Sequence, residues 1–164
     1  MLKAVYDLPD QHAEVLSLLI TRLNPADYLW ALTGSASLRL QGVDLPVHDL
    51  DLQTDGETIR LLEKELAEFM KVPVHVWESE HTLSYHGQAE INGLQVELLG
   101  DIRHHGVDGS WLPRLDIPSV LVWVEWRGVN IPVLSLAHET FAYETMGRKQ
   151  KAELIRSALQ RGAL

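Results

Sequence analysis

The sequence predicts an α/β fold of the α+β type, in which a mixed, mostly antiparallel sheet is flanked by helices on one side. Apolar residues recur with the helical period over residues 9–23, over 57–70 and from 135 onward. Short runs of strand-forming residues lie between these stretches, and two pairs of runs are joined by the turn dipeptides Asn92-Gly93 and Arg127-Gly128. No repeat, low-complexity tract or linker interrupts the 164 residues, so we expect one domain over the whole chain.

The first part of the chain predicts a helix, a strand and a second, short helix. Helical periodicity over residues 9–23 ends at the breaker Asn24-Pro25. Residues 28–33 form a short apolar run, typical of a buried strand, which stops at the turn Gly34-Ser35. Residues 36–41 can then form one or two helical turns. We therefore expect a strand that leads through a glycine turn into a helix.

The next segment predicts a second strand and a long amphipathic helix. Residues 48–53 alternate strictly between polar and apolar side chains, as in a half-buried strand. The two leucines of this segment are predicted on one face, and Asp49 and Asp51 on the other. Helical periodicity then predicts a helix over residues 57–70.

The second half of the chain predicts more strands and then helices. The expected strands form a meander and a hairpin, over residues 72–77, 82–91, 94–99, 120–126 and 129–133. A loop rich in glycine and proline is expected over residues 104–115. From Ser135, which suits an N-cap, the chain is helical by periodicity, and we expect Gly147 to divide this stretch into two helices.

Composition excludes several classes of protein. The chain has no cysteine, so disulfides, thiolate metal sites and cysteine nucleophiles are excluded, and a metal ion must be bound by oxygen or imidazole. A formal charge of −9 repels polyanions and argues against general nucleic-acid binding. The N-terminal segment has acidic residues where a signal peptide needs apolar ones, and no apolar run approaches the length of a membrane span. We therefore expect a cytoplasmic protein that does not bind membranes.

Asp49 and Asp51 are the most informative residues because their sequence context fits their chemistry. Two carboxylates at alternate positions of a strand point to the same side, at a spacing that suits a hard cation such as Mg²⁺. The upstream turn Gly34-Ser35 offers backbone N–H groups and a hydroxyl to phosphate oxygens at a helix N-terminus. Together these features predict a site for a triphosphate and its metal ion. An Asp-x-Asp segment alone can also be the solvent-exposed face of an ordinary strand.

This arrangement resembles the signature of the polymerase-beta-like nucleotidyltransferase superfamily, and in particular its minimal and antibiotic-type small members. In that signature an apolar strand leads through Gly-Ser into a helix, and an apolar-flanked Asp-x-Asp follows about a dozen residues later; here thirteen residues separate Ser35 from Asp49. The strand at residues 131–134 and the basic residues 147–151 also resemble the end of these proteins. The resemblance implies a nucleotidyltransferase-like fold and attack of an acceptor on the α-phosphorus of a nucleoside triphosphate, with release of pyrophosphate.

The resemblance also implies roles for individual residues. Asp49, Asp51 and Glu97 would be catalytic and would hold two Mg²⁺ ions, with Asp101 as the alternative third carboxylate. Glu97 would either bind the second metal ion or act as the general base. The triphosphate would be bound by Gly34, Ser35, Arg39, Arg148 and Lys151. The last two residues can also belong to an ordinary solvated helix end.

Three functions remain open from the sequence. The first is an active transferase that modifies a small molecule or a protein side chain. The second is a catalytically weak minimal nucleotidyltransferase that acts as an antitoxin, the regulatory partner of a helical toxin-like protein. The third is a metal-dependent phosphohydrolase that uses the same carboxylates. A chain of 164 residues lacks the large second domain that usually supplies the acceptor site, which favours a homodimer or a small helical protein as partner.

Overall fold

The computed structural model describes residues 1–162, which contain one large sheet. The strands are β1 (Leu2–Lys3), β2 (Ala31–Thr33), β3 (Leu50–Thr54), β4 (Met70–Glu78), β5 (Thr82–Ile91), β6 (Leu94–His104), β7 (Leu121–Trp126) and β8 (Val129–Leu134). They are arranged in the order β1-β7-β8-β2-β3-β6-β5-β4, with four antiparallel and three parallel neighbour pairs. The expected mixed, mostly antiparallel sheet is confirmed.

Helices lie on both faces of this sheet, and not on one side only as the sequence predicts, because both faces carry apolar residues that must be covered. They are α1 (Asp10–Arg22), α2 (Gly34–Leu40), α3 (Thr58–Glu65), α4 (Ile117–Val120), α5 (Leu136–Thr145) and α6 (Lys149–Gly162). Helices α1 and α3 pack on one face, whereas α4 and α5 lie against the other. Within residues 1–162, every helix is too short or too polar to cross a lipid bilayer.

Three strands from distant parts of the chain lie side by side at the centre of the sheet. β2 and β3 are antiparallel, which places Thr33 opposite Asp51. β3 and β6 are parallel, which places Asp51 opposite Glu97. The sheet therefore brings the Asp-x-Asp segment and the predicted third carboxylate into direct register.

Apolar packing determines which face of these strands carries the acidic residues. Leu50 and Leu52 of β3, and Val96 and Leu98 of β6, are completely buried in the core beneath α1 and α3. Full burial of one such side chain contributes roughly 1.5–3 kcal/mol, and a register slip of one residue would expose them all. The alternation along both strands then directs the acidic side chains to the opposite face, as the sequence predicts.

The C-terminal helices lie over this acidic face. Ser135 caps α5, because its hydroxyl oxygen accepts a hydrogen bond from the His138 N–H at 3.2 Å. Gly147, with φ +77°, separates α5 from α6 as predicted. The two helices pack against α2 through an apolar cluster that includes Leu38, Tyr143 and Ile155. This packing brings the start of α6 close to the centre of the sheet.

Several boundaries differ from the expected ones. β1 and α4 are not predicted, because elements of two and four residues are too short to show a period. β3 begins at Leu50 rather than at residue 48, so Asp49 lies at a bend just before the strand. α3 ends at Glu65, and the end of the expected helix over residues 57–70 is a short 3₁₀ turn that leads into β4. β6 continues past residue 99 to His104, because its ladder with β5 resumes after a bulge.

Candidate active site

A cavity of about 570 Å³ opens between the acidic face of the sheet and helix α5. Its polar part is lined by residues from distant segments of the chain, namely Thr33, Gly34, Asp51, Gln53, Glu97, Glu139 and Arg148. The rest of the wall comes from the β4–β5 hairpin, from β6 and from α5 with its C-cap, and it consists of Trp77, Ser79, His81, Thr82, Leu99, Ile102, His104, Ala142, Tyr143 and Met146. A volume of this size is typical of small-molecule sites.

Asp51 and Glu97 form the acidic centre of the cavity. They lie opposite each other on the parallel strands β3 and β6, close enough for their carboxyl groups to share a hydrogen bond. Burial, followed by the negative charges of Glu97 and Asp49, raises the pKa of Asp51 to about 8. Two carboxylates this close favour a shared proton or a bound cation, since a positive charge removes their repulsion. The pair therefore fits the chemistry of a divalent metal site.

Asp49 is close to this centre but is not among the residues that line the cavity. It lies partly exposed at the bend before β3, and its charge contributes to the raised pKa of Asp51. As the side chains stand, no three His, Asp or Glu groups within residues 1–162 form a cluster that can hold a metal ion. The structure thus brings together two of the three predicted metal ligands, and the role of Asp49 stays a prediction.

Glu97 is oriented by two glutamine side chains that the sequence analysis does not single out. Gln95 Nε2 donates to Glu97 Oε1 at 2.8 Å, and Gln88 Nε2 donates to the same oxygen at 3.4 Å. His86 Nε2 lies 4.0 Å from that oxygen. Gln88 is opposite Glu97 in the β5–β6 ladder, and Gln95 precedes it by two residues. Strand alternation is the signal that identifies both glutamines, because it places them on the face of Glu97.

Asp101, the alternative third carboxylate, points away from the cavity. Its backbone has φ +50°, a left-handed conformation that interrupts the alternation of β6. Glu97 and Leu99 line the cavity before this bulge, and Ile102 and His104 line it afterwards. Asp101 instead forms an ion pair with Arg114 at 3.2 Å. Of the two candidates for the third carboxylate, Glu97 is the one that lines the cavity.

Gly34 and Ser35 form the turn beside the acidic centre. Gly34 has φ +73°, and a β-carbon at this position would overlap Oδ2 of Asp51. Both the backbone conformation and the lack of space therefore require glycine here. Ser35 is buried, and its hydroxyl oxygen accepts a hydrogen bond from the His48 N–H at 2.9 Å. Ser35 therefore holds the segment that leads to Asp49, while its contact with phosphate stays a prediction.

Two of the three predicted basic residues lie near the acidic centre. Arg148 lines the cavity, and Lys151 packs over Tyr143, with its Nζ 4.9 Å from the ring centroid. Burial, and to a lesser degree Arg148, lowers the pKa of Lys151, although the charges of acidic neighbours at the cavity raise it. Arg39 is not among the lining residues, and its guanidinium donates to the Asp44 carboxylate at 3.1 Å.

Glu139 is a residue of the cavity that the sequence analysis misses. Its side chain is buried, and its carboxylate accepts a hydrogen bond from the Thr33 hydroxyl and one from the Gly34 N–H at 3.4 Å. Burial raises the pKa of Glu139 to about 7, although these hydrogen bonds oppose the rise. The signal in the sequence is helical spacing, because Ala142 and Tyr143 follow on the buried face of α5.

Known proteins share both the sequence and the fold of this chain. The family model described as aminoglycoside-2''-adenylyltransferase matches residues 15–157. The chain belongs to this family. The matched range includes the glycine turn, the acidic centre and the basic start of α6. The resemblance to small antibiotic-type nucleotidyltransferases is thereby confirmed, and this member of the adenylyltransferase family is an enzyme that transfers nucleotides.

Solved structures extend the comparison of this adenylyltransferase-family chain. TM1012 of Thermotoga maritima, described as a candidate nucleotidyltransferase, is 38% identical, with a TM-score of 0.82 over 96% of this chain and 98% of the other. The lincosamide antibiotic adenylyltransferase LnuA, bound to lincomycin, is 12% identical, with a TM-score of 0.58 over 93% and 99%. ANT(2'')-Ia, in complex with adenylyl-2''-tobramycin, is 16% identical, with a TM-score of 0.50 over 94% and 99%. The last two show the shared fold alone, and a comparison with curated proteins finds no match.

Proposed function

We propose that the chain works as a single-domain, Mg²⁺-dependent enzyme that transfers a nucleoside monophosphate from a nucleoside triphosphate to a hydroxyl group of a small molecule. The observation that carries this proposal is the register of Asp51 and Glu97 across β3 and β6, beside the Gly34 turn and Arg148. Paired carboxylates and a cation around one cavity suit the transfer of a highly charged phosphoryl group. We favour ATP as the donor because the family consists of adenylyltransferases, and we place the reaction in the cytoplasm.

Asp51 and Asp49 would hold Mg²⁺, and Glu97 beside them would act as the general base. Support for this assignment comes from the crowding of the carboxylates, since burial and then the negative charges of Glu97 and Asp49 raise the pKa of Asp51. Carboxylate oxygens are also the ligands that Mg²⁺ prefers. A divalent ion bound there supplies charge neutralisation for the triphosphate and Lewis acidity at the reacting phosphorus.

The residues of the chain have separate tasks in this reaction. Glu97, which Gln95 and Gln88 orient through its Oε1, accepts the proton of the acceptor hydroxyl with its carboxylate while the oxygen of that hydroxyl bonds to the α-phosphorus. The bond between the α-phosphorus and the bridging oxygen to the β-phosphorus breaks, and pyrophosphate leaves with that oxygen. Arg148 and Lys151 stabilise the negative charge on the leaving pyrophosphate.

The proposed acceptor is a small hydroxylated organic molecule. LnuA is bound to lincomycin, and ANT(2'')-Ia to an adenylylated tobramycin. In the present chain, Trp77, Ile102 and Met146 give the cavity an apolar wall next to the carboxylates. Such a wall can pack against the ring of an organic acceptor while the hydroxyl group of the acceptor reaches Glu97.

The first test is isothermal titration of ATP, GTP, CTP and UTP, with and without Mg²⁺. The wild type is compared with the double variant Asp49→Ala/Asp51→Ala. Asp101→Asn is the control, because it removes a carboxylate that lies on the other face of the same sheet and pairs with Arg114. We expect at least one triphosphate to bind the wild type and the control only with Mg²⁺, and to bind the double variant more than about tenfold more weakly.

Group transfer is tested separately, by incubation of the enzyme with the bound triphosphate and a panel of hydroxylated aminoglycosides and lincosamides. Mass spectrometry should detect an acceptor that has gained a nucleoside monophosphate, together with one pyrophosphate per product. Nucleotide cleavage without any acceptor would identify a phosphohydrolase instead. A folded wild type that binds no triphosphate would overturn the proposed function.

A further inference from the structure

Glu139 is an acidic residue at the wall of the cavity for which the reaction above has no task. Its side chain is only 3% exposed, and it reaches from α5 to the end of β2. A buried carboxylate costs folding free energy that an apolar side chain of similar size would avoid. The two hydrogen bonds that it accepts, from the Thr33 hydroxyl and the Gly34 N–H, are contacts that an apolar residue cannot make. We therefore look for the role of Glu139 in the residues that these two hydrogen bonds hold in place.

Both residues held by Glu139 are neighbours of Asp51. Thr33 lies opposite Asp51 in the pairing of β2 and β3. Gly34 approaches Asp51 so closely that no β-carbon fits between them. A displacement of this turn would either press on the Asp51 carboxylate or leave it room to turn away. The placement of Asp51 thus depends on a contact with a residue 106 positions beyond Thr33.

We propose that Glu139 is a positioning residue, which holds the Thr33-Gly34 turn against β3 and thereby fixes the Asp51 carboxylate for nucleotide transfer. In this role Glu139 acts through the two residues of the turn rather than on the substrate. The catalytic consequence rests on the proposed function, whereas the position of the turn is a property of the chain alone. Helix α5 is therefore linked to the acidic centre by hydrogen bonds as well as by packing.

Four substitutions separate positioning from packing. Glu139→Ala removes both accepted hydrogen bonds, while Glu139→Gln keeps a side-chain oxygen that can accept them and removes the charge. Thr33→Val removes the donating hydroxyl at nearly constant shape, and Thr33→Ser keeps it. Glu144→Gln is the control on the same helix, because its carboxylate pairs with Arg156 and does not line the cavity.

The first measurement needs no ligand. The ¹⁵N and ¹H shifts of the Gly34 amide and the ¹³Cγ shift of Asp51 report on the turn and on the carboxylate. We expect both to move in Glu139→Ala and in Thr33→Val, and to move much less in Glu139→Gln, Thr33→Ser and the control. Thr33→Val keeps the test decisive if Glu139→Ala does not fold. Resonances that stay at their wild-type positions in the variants that lack the hydrogen bond would overturn the proposal.

The second measurement is steady-state turnover of the triphosphate and an acceptor. Loss of a residue that supports a metal-binding group typically costs about 10- to 100-fold, and we expect a loss of this size in kcat for Glu139→Ala and Thr33→Val. The KM of the acceptor should change much less, and Glu139→Gln and Thr33→Ser should recover most of the activity. The double variant Thr33→Val/Glu139→Ala should be no slower than the slower single variant, because both changes break one linkage.

The outcomes distinguish this inference from the proposed function. A wild-type kcat in Glu139→Ala, or multiplying losses in the double variant, would overturn the positioning role while nucleotide transfer stands. A wild type that binds no triphosphate would overturn the proposed function. In that case the resonances of Gly34 and Asp51 decide whether Glu139 positions the turn.

Discussion

The α-carbon of Gly34 packs directly against the carboxylate of Asp51, and a β-carbon at residue 34 would occupy the space of Oδ2. This contact joins the turn at the start of α2 to the strand that carries the acidic centre. The glycine is needed both for its positive φ and for the absence of a side chain. The shape of the backbone at this turn is therefore part of the site.

Gly34→Ala should abolish triphosphate binding and destabilise the fold. The alanine adds strain of roughly 1–2 kcal/mol in the left-handed conformation, together with a clash against Asp51. Gly128→Ala is a matched control, because its φ of +76° is close to the +73° of Gly34 and no atom lies within 4 Å of the added carbon. Urea unfolding and triphosphate titration measure the two effects. Equal affinities in the two variants would contradict the importance of the close approach.

Gln95→Met should lower kcat by about tenfold with little change in stability, as expected for loss of a contact that orients a catalytic group. The substitution keeps the length of the side chain but removes the N–H group that donates to Glu97 at 2.8 Å. Gln160→Met, on the exposed side of α6, controls for the change of residue type. A wild-type kcat in both variants, measured by steady-state kinetics, would contradict this role of Gln95.

Arg148→Ala and Lys151→Ala should each weaken triphosphate binding by about tenfold, because each removes a positive charge beside the acidic centre. Lys149→Ala removes the same charge from an adjacent residue that does not line the cavity, and it should have a much smaller effect. Titrations at low and high salt measure the difference. A similar loss of affinity in all three variants would mean that the basic residues act only through the net charge of this segment.

Between pH 6.5 and pH 4, His138 should lower the free energy of unfolding, whereas the carboxyls of Asp51 and Glu139, with pKa values raised to about 8 and about 7, should raise it. Burial, and to a lesser degree His104, lowers the pKa of His138 from 6.5 to about 4. His138 binds more protons in the unfolded chain than in the folded one over this range, so the stability that neutral His138 contributes is complete above pH 6.5 and is lost as the pH falls toward 4.

Substitution tests this pH dependence. Between pH 7.5 and pH 4.5, the free energy of unfolding measured with urea should change by about 2 kcal/mol more in the stabilising direction for His138→Gln than for the wild type. His75→Gln changes an exposed histidine and should follow the wild type. If acidification changes the free energy of unfolding equally in His138→Gln and in the wild type, His138 does not contribute to the pH dependence.

Features that depend on local chemistry are predictable from the sequence. Alternation in β3 and β6 predicts that the apolar residues are buried and that Asp51 and Glu97 share the other face, and the structure has this arrangement. The Gly34 turn and the Ser135 cap are predictable because few residue types favour such conformations.

Features that depend on distant contacts or on single backbone angles are not predictable in this way. Glu139 meets Thr33 across 106 residues, and no local pattern indicates which strand end the buried acid reaches. Alternation places Asp101 on the face of Glu97, but one residue in the left-handed conformation reverses its direction. Arg39 has the spacing of a phosphate-binding residue, yet the loop after α2 places Asp44 within its reach.

The parallel pairing of β3 with β6 has a consequence for the order in which the protein folds. The β5–β6 and β7–β8 hairpins are closed by short turns, and such local pairs form within microseconds in small chains. β3 and β6 have no such turn between them, and they must find each other across a long stretch of chain. We therefore expect the acidic centre to assemble late and to be lost early. Mild denaturant should abolish the enzymatic activity while much of the circular-dichroism signal of the β-sheet persists.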